Sequence, residues 1–200
     1  SNEPGPVAPY SIISIYGKNL AYVTRSLTPS DVRSGVLPFV LPNTGVRVFI
    51  ANMPAAILFV SPGQINALVP ANLRPGPVEL QVGLDALYGP PATIEIADSA
   101  PALFMADAET PIAVRLDGRV ATRNEPLRPG EWIALYATGL GKAVPAQMGV
   151  ELATGAARLE KFFDFEVRLN GEAVAVTRIG YAGLAPGFAG LYQINVQIPE

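Results

Sequence analysis

Apolar and polar residues alternate with period two along most of the chain, the pattern of strands that bury one face. In the first half this predicts strands at Ile13-Ser14-Ile15-Tyr16, Val46–Ile50, Ala56–Val60, Ile65–Val69, Val78–Val82 and Thr93–Ile96. In the second half it predicts Ile112–Leu116, Trp132–Tyr136, Phe165–Leu169, Val174–Val176 and Tyr192–Ile198. Asn170-Gly171 and Asp117-Gly118 follow such runs and favour type I′ hairpin turns, because both central residues must tolerate positive φ. No stretch sustains helical periodicity over ten residues. Leu152–Phe163, interrupted by Gly155, allows a single turn of helix at most. The chain is expected to be all-β, since many short strands punctuated by glycine and proline argue for a sandwich or barrel.

Two passages occur twice. Pro9–Ala21 (PYSIISIYGKNLA) is echoed by Pro129–Gly141 (PGEWIALYATGLG) at an offset of 120 residues, and Gln64–Pro70 (QINALVP) by Gln193–Pro199 (QINVQIP) at an offset of 129. A repeat on this period predicts two copies of one structural unit. Seven or so strands in about 100 residues fit an immunoglobulin-like sandwich. The expected organisation is therefore two tandem immunoglobulin-like β-sandwich domains, residues 1–97 and 98–200, divided where Asp98-Ser99-Ala100-Pro101 breaks the strand pattern. The copies are complete in different places: 27 residues follow Pro70 in the first unit, and one follows Pro199 in the second. The first unit is accordingly expected to be short at its N-terminus and the second at its C-terminus, with the natural chain running on past Glu200 into another strand-turn-strand segment or the units exchanging edge strands. Ser1-Asn2 reads as the remnant of a cloning junction.

Composition narrows the function. Histidine and cysteine are both absent. Their absence removes Ser-His-Asp and Cys-His catalysis, disulfides and ordinary zinc sites. Among enzymes only a carboxylate-based hydrolase stays open. Charged residues make up 16%, below the usual quarter, and the 14 basic residues form no run, so the basic footprint of a nucleic-acid protein is missing. No apolar stretch reaches the length of a membrane span.

Four runs carry a family resemblance: Ser14–Leu20 (SIYGKNL), Val60–Asn66 (VSPGQIN), Leu135–Gly141 (LYATGLG), and Tyr181–Phe188 (YAGLAPGF) continuing through Gln193-Ile194-Asn195. Together they resemble the uncharacterised Solibacter-type C-terminal domain family. Each half is also similar to the IPT/TIG class of immunoglobulin-like folds. The resemblance implies a place at the C-terminal end of a large secreted or cell-surface protein of a soil acidobacterium, beside its other domains. It brings no catalytic residue with it. Tyr10 departs from the glycine expected at its turn, whereas Gly130 keeps it.

Candidate chemistry is sparse. Gly139-Leu140-Gly141-Lys142 fails as a phosphate loop at both ends, with Tyr136 in place of the first glycine and Ala143 in place of Ser/Thr, and reads as a tight turn. Asp107, Glu109 and Asp117 match neither a glycosidase pair nor a calcium loop and read as solvated charges. Gln193, Asn195 and Gln197 share one strand face, either an amide surface for glycan or peptide or simply the polar outside of a sheet. The apolar stretch Tyr181–Tyr192 is either a partner patch or a loop that packs on the first unit or covers its own sheet edge. Trp132, the only tryptophan, aligns with Ile12 and is expected in the core. The candidate partner-binding set is Tyr181, Leu184, Phe188, Tyr192, Gln193 and Asn195. No cofactor or metal is expected. The expected function is a non-catalytic structural or interaction module that contacts protein or cell-surface polysaccharide. The alternative is a carbohydrate-binding accessory module of an exported polysaccharide-processing protein.

Overall fold

The computed structural model describes residues 5–145 and 149–200, and Ser1-Asn2 lies outside them. Among the described residues the protein is all-β, with three single 3-10 turns and no α-helix. In the first half the strands are β1 (Ile12–Tyr16), β2 (Arg25–Ser26), β3 (Val46–Ile50), β4 (Met53–Pro54), β5 (Ala56–Val60), β6 (Gln64–Leu68), β7 (Gly76–Leu84), β8 (Leu87–Tyr88) and β9 (Ala92–Ile96). They form two sheets, ordered β1-β6-β5-β2 and β4-β3-β7-β8, with β9 also on β7. Alternation decides what each strand buries. Val46, Val48 and Ile50 of β3 meet Ile57, Val60, Ile65 and Ala67 of β5 and β6 in one apolar cluster between the sheets.

The second half contributes β10 (Ala102–Leu103), β11 (Ala113–Arg115), β12 (Trp132–Thr138), β13 (Ala143–Val144), β14 (Ala157–Leu159), β15 (Arg168–Leu169), β16 (Glu172–Ala173), β17 (Ile179–Leu184) and β18 (Tyr192–Gln197). One large sheet runs β10-β12-β18-β17-β14-β13, with β11 also on β12, and β15-β16 is a separate hairpin. The inner face of the large sheet, Ile133, Leu135, Ile194, Val196, Ala182 and Leu184, packs with Phe162, Val167 and Val174 from the 3-10 turn and hairpin region. Every ladder between these strands is antiparallel.

The central ladders of the two halves run in the same register. Tyr16 faces Gln64 and Ile12 faces Leu68, while Tyr136 faces Gln193 and Trp132 faces Gln197. The register slips once between Ile57 and Phe59 against β6, and once between Ile179 and Tyr181 against β18, each time just beyond the shared asparagine, Asn66 or Asn195.

Several sequence expectations are corrected by the pairing. Asn170-Gly171 does form the two-residue turn of β15-β16, with φ of +52° and +84°. At Asp117-Gly118 only the glycine has positive φ, and Arg115 N–H donates to Arg119 O at 2.8 Å, so the loop holds three residues and closes on a glycine bulge. The stretch expected to allow a helical turn contains strand β14, whose Ala157 and Leu159 point inward, before a 3-10 turn at Phe162–Asp164. Val174–Val176 is not a strand, because the ladder ends at Ala173 with one further bond from Val174 N–H to Val167 O at 2.8 Å, and a 3-10 turn takes Val176–Arg178. Only Arg168-Leu169 of the Phe165–Leu169 run is paired.

The two halves meet along an apolar, hydrogen-bonded seam. Tyr10, Leu37, Ala56 and Leu68 of the first half belong to the apolar cluster of the second. Buried Thr138 accepts from Ile12 N–H at 2.8 Å and donates to Gly190 O at 2.9 Å. Tyr10 Oη donates to Glu151 O, Leu37 N–H donates to Val150 O, and Leu152 N–H donates back to Gly35 O. Gly190 has φ +68°, and a Cβ there would sit 2.5 Å from Leu68 Cδ1 and 2.9 Å from Ile12 Cγ1. Glycine is thus required where the Tyr181–Tyr192 stretch docks on the first half.

Candidate functional site

The six candidate residues separate by strand parity and turn. Leu184 and Tyr192 are each 1% exposed and face the core. Burial pushes the Tyr192 hydroxyl well above the ordinary tyrosine range, and it donates to Gly141 O at 2.6 Å. Phe188 is 56% exposed on the turn between β17 and β18. Tyr181, Gln193 and Asn195 point the other way, onto the outward face of the large sheet, where Tyr181 pairs with Asn195 and Gly183 with Gln193. Tyr181–Leu184 is therefore strand rather than loop.

That outward face also holds two residues outside the candidate set. Trp132 and Tyr136 alternate with buried Ile133 and Leu135, which puts both rings beside the amides of β18. Trp132 is half-buried on this face and is absent from the core, contrary to the expectation. Its counterpart in the first half, Ile12, also lies on an outward sheet face, but there the second half covers it. The alternation of Trp132 with Ile133 already carried the signal.

The face is built on two glycines. A Cβ on Gly180 would lie 3.1 Å from Trp132 Cζ3 and 3.3 Å from Cη2. Gly180 is two strands away from Trp132, about 10 Å at ordinary strand spacing, so the indole must lie along the sheet across β18. A Cβ on Gly183 would lie 2.7 Å from Tyr181 Oη, which donates to Leu184 O at 2.6 Å and lies 3.2 Å from Ala157 O. The Tyr181 ring is thereby laid down over its own strand, and burial raises its hydroxyl pKa. Gln193 Nε2 donates to Asn195 Oδ1 at 2.7 Å, and Gln197 Nε2 to Gly130 O at 3.0 Å. The first half repeats the amide pair, Gln64 Nε2 to Asn66 Oδ1 at 2.7 Å, without the indole.

The remaining candidates are engaged locally. Gly139 and Gly141 both have positive φ, and a Cβ at Gly139 would lie 2.2 Å from Ala100 O, so this turn needs glycine for close backbone approach. Lys142 lines a cleft of about 480 Å³ together with Lys161, Asp98, Glu160, Asp164 and Glu166. Asp107 Oδ1 accepts the N–H groups of Glu109 and Thr110, which holds its carboxyl below the usual range. Asp117 is lowered by the Arg119 N–H and guanidinium. Among the described residues no group of three or more acidic side chains converges to hold a metal, and no helix is long and apolar enough to cross a membrane. No family model and no curated protein matches the chain.

Proposed function

We propose that the chain is a non-catalytic structural and interaction module, a stiff pair of immunoglobulin-like units at residues 1–97 and 98–200. The units arose by duplication, and the pair sits at the C-terminal end of a larger secreted or cell-surface bacterial protein of the Solibacter-type family. The observation that carries this reading is the seam, where Thr138 ties Ile12 to Gly190 and Leu68 enters the apolar cluster of the other half. Such a joint suits a spacer that holds binding surfaces at a fixed separation. Duplication is supported by the identical register of the two central ladders and by the bulges at matching places. Localisation and parent protein rest on the sequence resemblance alone.

The test is ¹⁵N relaxation on the intact chain. One rotational correlation time for amides of both halves is expected. Two separate values would overturn the stiff-pair reading. Export is checked on the natural gene, where a secretion signal upstream of this segment is the expected result.

A further inference from the structure

We propose that the outward face of β12, β18 and β17 is a binding strip for a neutral polysaccharide with equatorial hydroxyls. This names the partner class for the interaction role above and rests on that reading.

The argument starts from what the strip exposes. Trp132, Tyr136, Tyr181, Gln193, Asn195 and Gln197 are all half-buried on one face, and none carries a charge. A pyranose with equatorial hydroxyls is amphipathic in the complementary way, with a flat C–H face for an aromatic ring and a rim of hydroxyls for amides. The rings are held in place before any ligand arrives. The indole lies over Gly180, and Tyr181 is pinned over Gly183 by its hydrogen bond to Leu184 O. Fixing the rings in advance reduces the ordering cost of binding. The Gln193–Asn195 bond uses one amide donor and one acceptor, and it orients Gln193 Oε1 as an acceptor and Asn195 Nδ2 as a donor. Two cations border the strip and both are engaged: Arg158 donates to Gly180 O at 3.0 Å and stacks 4.5 Å over Phe162, and Arg178 donates to Gln197 Oε1 and Ile198 O, each at 3.4 Å. Their commitment there favours an uncharged ligand over an acidic one. Trp132 and Tyr136 are four residues apart, about 14 Å along the strand, room for a short run of sugar rings.

The experiment uses the intact chain. Depletion from solution by cellulose, chitin, xylan and mannan is measured, with soluble oligosaccharides of each titrated against the emission of Trp132, the only tryptophan. Retention by at least one polymer is expected, with a blue shift of emission from its oligosaccharides. Trp132→Ala and the double variant Gln193→Ala/Asn195→Ala should each weaken binding about tenfold or more. Gln64→Ala, on the corresponding face of the first half, should leave it unchanged. Far-UV circular dichroism and melting temperature verify that each variant is folded, and the amide double variant keeps the test valid if Trp132→Ala unfolds. Retention by none of the polymers, or binding untouched in the folded variants, would overturn the proposal. So would self-association abolished by Trp132→Ala, since that assigns the strip to a second copy. These outcomes leave the relaxation test of the stiff pair independent.

Discussion

Tyr10 occupies a backbone conformation that its repeat counterpart Gly130 adopts without penalty, with φ of +59° against +77°. A non-glycine residue there costs about 1–2 kcal/mol. The ring is nevertheless buried in the seam with its hydroxyl on Glu151 O, and that packing outweighs the strain. Tyr10→Gly is therefore expected to destabilise the protein by about 2–3 kcal/mol in urea unfolding, the loss of a large buried ring less the relieved strain. The same burial pushes the Tyr10 hydroxyl up to about 12, with the Glu151 carboxylate adding to the effect. Because the folded pKa is raised above that of an unfolded tyrosine, near 10, this contribution is full below pH 10 and lost between pH 10 and about 12. Urea midpoints at pH 9 and pH 11.5 should show the drop, and Tyr10→Phe should make it smaller.

The hairpins behave according to the residues that must take positive φ. At the β11 hairpin this is Gly118 alone, while Asp117 Oδ1 caps the loop by accepting Arg119 N–H. Gly118→Ala is expected to cost about 1 kcal/mol, and Asp117→Asn, which keeps the acceptor, should fall within about 0.5 kcal/mol of wild type by thermal denaturation. Within β17 the register slip places Gly180 in the path of the indole from β12. The bulge, the glycine and the tryptophan thus form one unit, which orients an aromatic surface that a regular ladder would have left standing off the sheet.

Across the whole molecule, the outward face of the β1-β6-β5 sheet serves two environments. Its Ile12–Leu68–Ala56 end is buried against the second half, and its Ser14–Asn66–Gln64 end faces solvent. Unfolding of either half would expose that seam, so the chain should melt in a single transition. Leu68→Ala should destabilise by about 2–4 kcal/mol. Although Leu68 lies in the first half, the emission of Trp132 in the second half should report the lowered melting temperature together with circular dichroism. A Trp132 transition unmoved by the change would show that the halves unfold independently.

Most long strands were legible because burying one sheet face imposes period two, as in Val46–Ile50, which coincides with β3 to the residue, while the wholly apolar run Ala56–Val60 coincides with β5. The amide face of β18 was legible for the same reason, since parity assigns Gln193 and Asn195 to one side and Ile194 and Val196 to the other. Two-residue strands such as β2, β4 and β13 leave no periodic trace, and β14 was obscured because Ala-Ala-Arg-Leu favours helix until neighbouring strands claim its hydrogen bonds. Parity says which side of a sheet a residue faces, but what lies on that side is set by distant segments. Ile12 and Trp132 hold corresponding register positions on outward faces, and only the docking of Gly190 onto the first half covers one while leaving the other half-exposed to water.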